Sequence, residues 1–177
     1  MSKSIDGVDE EELQALVLER NVRNFYKREA DLLDDRELEQ WFELIDKDIR
    51  YWMPRRLMKE HEPSEFDEDG YFFDEDFGSL KARVERFDSS YAWAERPPAR
   101  VRRYVTNVVV EDWSDDELDV HSNVLVYYSQ DDTEDYSLIS VRREDTLRRT
   151  EDGFTIAERT IYPDHTILGI SKLSTFL

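Results

Sequence analysis

The chain has no cysteine in its 177 residues. That excludes disulfides, thiolate zinc sites, a thiol nucleophile and any iron–sulfur cluster ligated by this chain. Histidine is almost as scarce, with three copies, and glycine and proline number five each. No internal repeat or low-complexity tract is visible. No apolar run approaches membrane-spanning length, and Met1 to Gln14 lacks the apolar core of a signal peptide, so a cytoplasmic protein is expected. Basic residues are few as well: 24 Lys and Arg stand against 43 Asp and Glu, a formal net charge of -19. A field of that sign repels phosphate backbones and anionic headgroups, which argues against nucleic acid and membrane surfaces as partners.

Apolar residues make up 39% of the chain and aromatics 12%. Chains that cannot fold are poor in aromatics, so a real core is expected under a charged surface. The length fits a single domain, 1–177, with residues 1–8 expected as a flexible N-terminus. The acidic surplus has two explanations, adaptation to a salty cytosol or complementarity to a basic partner, and composition leaves both open.

Asp9 with Glu12 three residues on has the spacing of a capping box and opens a first helix carrying Leu18, Val22, Phe25 and Leu32. Asp34 with Glu37 repeats the signal before Leu38, Trp41, Phe42 and Ile45, the stripe of a second amphipathic helix. Ile49 to Met53 is strand-like, and Pro54 is expected to stop it. From 57 to 76 periodicity dissolves into carboxylates and aromatics, read as an acidic surface excursion pinned by its rings. Helical spacing returns at Leu80, Val84, Phe87 and Tyr91 and ends at Pro97-Pro98. Four strands follow, at Val101–Trp113, Leu118–Tyr128, Tyr136–Arg149 and Phe154–Tyr162, rich in Val, Ile, Thr and Tyr. Short acidic turns separate them, and Asp152-Gly153 is the strongest hairpin signal. Short connections imply antiparallel neighbours, so the expectation is an α+β fold: helices packed on one curved antiparallel sheet, an open cone with a pocket inside.

Each candidate for chemistry has a bland counterpart. His61, His121 and His165 show no close pairing of the kind a two-histidine, one-carboxylate iron site needs, so no metal is expected here. Asp67 and Asp69 alternate as in a calcium loop, but Tyr71 stands where the third ligand belongs. Asp48, Tyr51 and His121 are the residues a conical pocket would use for acid–base chemistry. Without evidence of convergence they read as a turn, a core ring and a solvent-facing imidazole. Arginines cluster at Arg100-Val101-Arg102-Arg103, Arg142-Arg143 and Arg148-Arg149. Forked guanidinium contacts favour interfaces, and pairing with the surplus acids is the competing explanation.

With those segments in order, the chain resembles the small (beta) subunits of aromatic-ring-hydroxylating dioxygenases, the Rieske non-haem iron oxygenase systems. The likeness runs from about Glu19 to Leu177. It rests on Phe25-Tyr26-Lys27-Arg28-Glu29-Ala30-Asp31-Leu32-Leu33-Asp34-Asp35-Arg36, then Trp41 and Asp48-Ile49-Arg50-Tyr51-Trp52-Met53-Pro54. It continues through Phe77-Gly78-Ser79-Leu80, Ala92-Trp93-Ala94-Glu95-Arg96-Pro97-Pro98-Ala99-Arg100, Thr106-Asn107-Val108, Arg142 to Arg149 and the ending Leu173-Ser174-Thr175-Phe176-Leu177. Arg96 departs from the pattern, standing where an acid is expected. The resemblance implies the cone-shaped α+β fold of nuclear-transport-factor-like and cystatin-like proteins. It also implies a trimeric base under three large subunits, which hold the Rieske 2Fe-2S cluster and the mononuclear iron. The small subunit is then expected to be structural, with no catalytic, cofactor or metal residues, fed by NAD(P)H only through partner proteins. Trp93, Arg100, Arg102, Arg103, Leu173 and Phe176 are the expected interface residues. The alternative is a free-standing isomerase or dehydratase of the same fold built on Asp48, Tyr51 and His121, and a third reading is a ligand-binding module without chemistry.

Overall fold

The computed structural model describes residues 9–57, 65–88, 99–130, 134–166 and 175–177. Helix α1 (Glu10–Asp34) starts on Asp9, whose carboxylate accepts the Glu12 amide at 2.8 Å. Its buried stripe, Leu18, Val22, Phe25, Tyr26, Glu29, Ala30 and Leu33, follows the helical period and carries one carboxylate in its middle. The helix closes with Arg36 at φ +63° and the Glu37 amide returned to the Leu32 carbonyl at 2.8 Å. That is a Schellman closure with arginine in the place glycine usually takes.

The second helix is shorter than its stripe implies. α2 is Leu38–Phe42, and Ile45 already belongs to strand β1 (Ile45–Arg56). Asp34 does not cap it, because its carboxylate is taken by Arg103, through the backbone amide at 3.1 Å and Nη1 at 2.6 Å. Pro54 does not end β1 either. It lies past Trp52, the last residue paired to β6, and a register shift accommodates it opposite β2. The expected acidic excursion is likewise corrected: residues 66–75 form strand β2 (Phe66–Glu75), antiparallel to β1. Asp-rich segments score poorly as strands, but pairing with β1 outweighs that local preference.

Helix α3 (Phe77–Asp88) precedes β3 (Arg100–Trp113), β4 (Glu117–Ser129), β5 (Ser137–Thr150) and β6 (Gly153–Pro163). The sheet order is β2-β1-β6-β5-β4-β3, with β3 to β6 an antiparallel meander and β1 parallel to β6. Strict alternation sets the inner face: Leu118, Val120, Ser122, Val124 and Val126 on β4, then Ile139, Val141, Arg143, Asp145 and Leu147 on β5. The hairpin signal sits one residue from where the sequence puts it. Glu151 and Asp152 make the turn and Gly153, at φ +137°, opens β6. A Cβ on Gly153 would meet no atom within 4 Å, so Gly153→Ala isolates backbone strain. It is expected to cost about 1–3 kcal/mol in urea-unfolding stability, and an unchanged midpoint would show that the turn relaxes freely.

Candidate functional site

The inner face of the sheet, where a conical pocket would lie, is occupied by side chains of opposite charge. Glu29 enters from α1, Arg143 and Asp145 from β5 and Arg159 from β6, and each side chain is at most 1% exposed. Arg159 donates to Glu29 Oε1 at 2.5 Å and Oε2 at 3.2 Å, and to Asp145 at 2.8 Å through both Nε and Nη2. Arg143 reaches Glu29 Oε2 at 3.1 Å, Trp41 Nε1 reaches Oε1 at 3.3 Å, and the Tyr26 hydroxyl donates to Asp145 at 2.8 Å. Two carboxylates and two guanidinium groups thus cancel. Burial by itself would push the Glu29 carboxyl up, but the charges of Arg159 and Arg143 overcome it and hold the group at about 2. Burial, then the Asp145 charge, raises the Tyr26 hydroxyl well above its ordinary range. Neither group is tuned to exchange protons near neutrality, which a general acid or base requires. Arg143 Nη2 has no hydrogen-bond partner among the described residues, and its guanidinium lies 5.0 Å from the Tyr26 ring centroid.

The rest of the interior is filled by the C-terminal residues. Phe176 stacks on Trp41 at 4.4 Å between ring centroids, and Arg83 lies 4.4 Å from the same Phe176 ring. The Tyr51 hydroxyl donates to the Leu177 carbonyl at 2.7 Å and accepts its amide at 2.8 Å. Burial raises the Tyr51 hydroxyl above its usual value.

The triad Asp48, Tyr51 and His121 does not converge. Asp48 is a surface carboxylate, 79% exposed, beside Arg148. Tyr51 is fully buried against the chain end. His121 is on β4, with Nδ1 2.5 Å from Glu111. β1 and β4 are separated by β6 and β5 in the sheet, about 14 Å at the usual strand spacing. The expected interface residues divide. Trp93 and Leu173 lie outside the described residues, as do Arg96 and His61. Arg100 and Arg102 are exposed. Arg103 and Phe176 are corrected, for both are turned inward: Arg103 binds Asp34, Thr175 and the Phe176 carbonyl, and Phe176 is 2% exposed. The strand alternation that puts Arg102 outside puts Arg103 inside.

Among its charged side chains the outer face also exposes an apolar group. Tyr104, Leu125, Leu138 and Tyr136 are 55%, 39%, 45% and 62% exposed. Registers Arg102↔Tyr127↔Leu138 and Tyr104↔Leu125↔Ser140 set them in adjoining rows, and Tyr127 stacks on Tyr136. Nothing but chemical alternation marks this patch in the sequence. Among the described residues no group of three or more His, Asp or Glu side chains is placed to hold a metal, and no helix is long and apolar enough to cross a membrane.

The profile of the ring hydroxylating beta subunit family matches residues 28–169. The chain belongs to that family. It is 34% identical over 166 residues to the chlorobenzene dioxygenase subunit beta of Cupriavidus sp. (strain PS12), covering 90% of this chain and 88% of that one. It is 32% identical over 165 residues to the biphenyl 2,3-dioxygenase subunit beta of Rhodococcus jostii (strain RHA1), with the same coverage of both chains. Among solved structures, a chain of naphthalene 1,2-dioxygenase superposes with a TM-score of 0.78 at 22% identity, covering 96% of this chain and 95% of that one. A chain from Novosphingobium aromaticivorans DSM 12444, named as a scytalone dehydratase, superposes at 0.64 and 15% identity, covering 89% and 91%. The α+β fold with a curved sheet, expected from the sequence, is therefore the fold of this beta-subunit family, shared with dehydratase-type proteins. In this beta subunit the inner face is filled by the ion cluster and the chain end.

Proposed function

We propose that the chain is the non-catalytic small subunit of an aromatic-ring-hydroxylating dioxygenase acting in cytoplasmic aromatic catabolism. It assembles three with three large subunits, on a trimeric base of its own copies. In this reading the Rieske 2Fe-2S cluster, the mononuclear iron and the substrate site belong to the large subunit, and NAD(P)H electrons arrive through further partner proteins. The observation that carries the reading is the inner face. The centre of the inner face, where a free-standing enzyme of this fold would set its catalytic groups, is taken by a charge-balanced cluster of Glu29, Arg143, Asp145 and Arg159, while the outer face carries a solvent-exposed apolar patch.

The relatives are named as beta subunits of dioxygenases of different compounds, chlorobenzene and biphenyl among them; in this reading the substrate is chosen on the large subunit. The outer patch (Tyr104, Leu125, Tyr127, Tyr136 and Leu138, with Arg100 and Arg102 on the same strand) is the proposed contact surface. Apolar and aromatic anchors with arginine are what a tight subunit contact requires.

Co-expression with the large subunit and native mass measurement test this. An equimolar, iron-containing complex is expected. Leu125→Glu combined with Leu138→Glu is expected to abolish it while leaving the thermal midpoint of the isolated chain unchanged, since both side chains are exposed. A chain that stays a monomer or dimer beside a fully active large subunit would sink the proposal.

A further inference from the structure

A second concavity is unused by the subunit reading. It is a cleft of about 610 Å³ between α1 and the bulged edge strand β3, lined by Arg23, Tyr26, Lys27, residues 105–109 and His121. Its size falls within the roughly 300–1,000 Å³ typical of small-molecule sites. In a chain whose acids outnumber its bases 43 to 24, no carboxylate lines it among the described residues. Arg23 and Lys27 stand one helical turn apart on the same side of α1, a like-charge spacing that costs a helix a few tenths of a kcal/mol unless an anion sits between them. Arg23 is partly met by Glu19 at 3.3 Å, while Lys27 has no ion-pair partner among the described residues. Behind Tyr26 stands the buried Arg143, whose Nη2 is unpaired among the described residues.

The opposite wall is shaped for contact. Asn107 takes φ +50°, and the β3–β4 register slips between Thr106 and Val109. This is a bulge, a device that re-aims side chains beside binding sites. It brings Val108 and Val109 beside Val105 along the cleft as an apolar wall.

We infer that the cleft binds a small organic anion, its carboxylate held by Lys27 and Arg23 and its apolar body lying against the valines and the Tyr26 ring. The inference goes beyond the subunit assignment and needs no large subunit for its test. The purified full-length chain would be titrated with 2-naphthoate, followed by amide chemical shifts, with neutral 2-naphthalenemethanol as the comparator of equal shape. Saturable shifts centred on Lys27 and residues 105–109 are expected, with the carboxylate bound about tenfold more tightly than the alcohol and more weakly as salt rises. Lys27→Met is expected to remove about that tenfold preference, and because Lys27 is exposed the variant should keep its thermal midpoint. No saturation by roughly 10 mM, equal affinity for acid and alcohol, shifts elsewhere on the surface, or an unaltered preference in Lys27→Met would each overturn the inference.

Discussion

Glu29→Gln is expected to lower stability by about 3–5 kcal/mol, because Glu29 is the carboxylate on which the buried guanidinium groups of Arg143 and Arg159 converge. The amide keeps one acceptor where the carboxylate offered two oxygens to four donors, from Arg143, Arg159 and Trp41. It also leaves two guanidinium groups facing one carboxylate in a volume without solvent. Breaking a buried pair in this way is costly because the remaining charge cannot be rehydrated. For a chain of this length the thermal midpoint should fall by about 10 °C. Glu19→Gln, which removes the exposed helical partner of Arg23, should change stability by less than about 0.5 kcal/mol. If the two variants melted together, the cluster would not be the keystone its burial implies. Replacing all four charged members by well-packed apolar residues is a different experiment and can be neutral, since the desolvation of all four charges disappears with them.

The same carboxylate sets the acid limb of the stability profile. Its folded value of about 2 lies below the ordinary 4.5. The stability it contributes is therefore fully present above about 4.5 and is lost as pH falls toward 2, an amplitude of about 3 kcal/mol. Tyr26 and Tyr51 act in the opposite sense. Their raised folded values make their contribution complete below about 10, lost as pH climbs past it. Stability should thus be nearly flat between these limits. In Glu29→Gln the acid limb should shrink while the alkaline limb persists.

The four long strands were legible because β-branched and aromatic residues alternate there without competition, and the first helix because its cap and stripe agree. The errors have physical causes. Leu38, Trp41, Phe42 and Ile45 form a helical stripe across what is one short helix and the start of a strand, since a turn at residues 43–44 preserves the spacing by accident. The acids of 66–75 hid a strand that only its partner β1 stabilises. Of the ion cluster the sequence did carry a trace. Glu29 falls on the apolar stripe of α1, four residues after Phe25, while Arg143 and Asp145 continue the buried parity of Ile139 and Val141. Charged residues of both signs at core positions, on elements that face one another, are the signature of a filled interior. For Arg143 the competing explanation, pairing with the chain's own acids, is the one that holds, in a buried pair with Glu29. The exposed patch and the cleft depend on register and on a bulge, which no residue pattern states.

Arg103→Met and Arg102→Met make the sharpest comparison, because the two arginines are adjacent and approach the same carboxylate. Arg103 sits 2.6 Å from Asp34 with both side chains 3% exposed, and it also holds Thr175 Oγ1 at 2.7 Å and the Phe176 carbonyl at 2.7 Å. Without it, the buried Asp34 carboxylate keeps only the backbone amide of residue 103 at 3.1 Å and the exposed Arg102 at 3.5 Å, and the chain end loses the guanidinium that holds Thr175 and the Phe176 carbonyl. A loss of about 3–5 kcal/mol is expected by urea unfolding. Arg102 is 59% exposed and 3.5 Å from the same carboxylate, so its replacement should cost less than about 1 kcal/mol. Assembly should order the pair the other way. Arg102, beside Tyr104 on the outer face, is expected to weaken the complex with the large subunit at unchanged protomer stability. Arg103 is expected to act on assembly only in proportion to the protomer that remains folded. Equal stability losses would mean that strand parity does not separate the protomer's own core from its contact surface. A stability loss at Arg103 alone, with an assembly defect at Arg102 alone, would establish that it does.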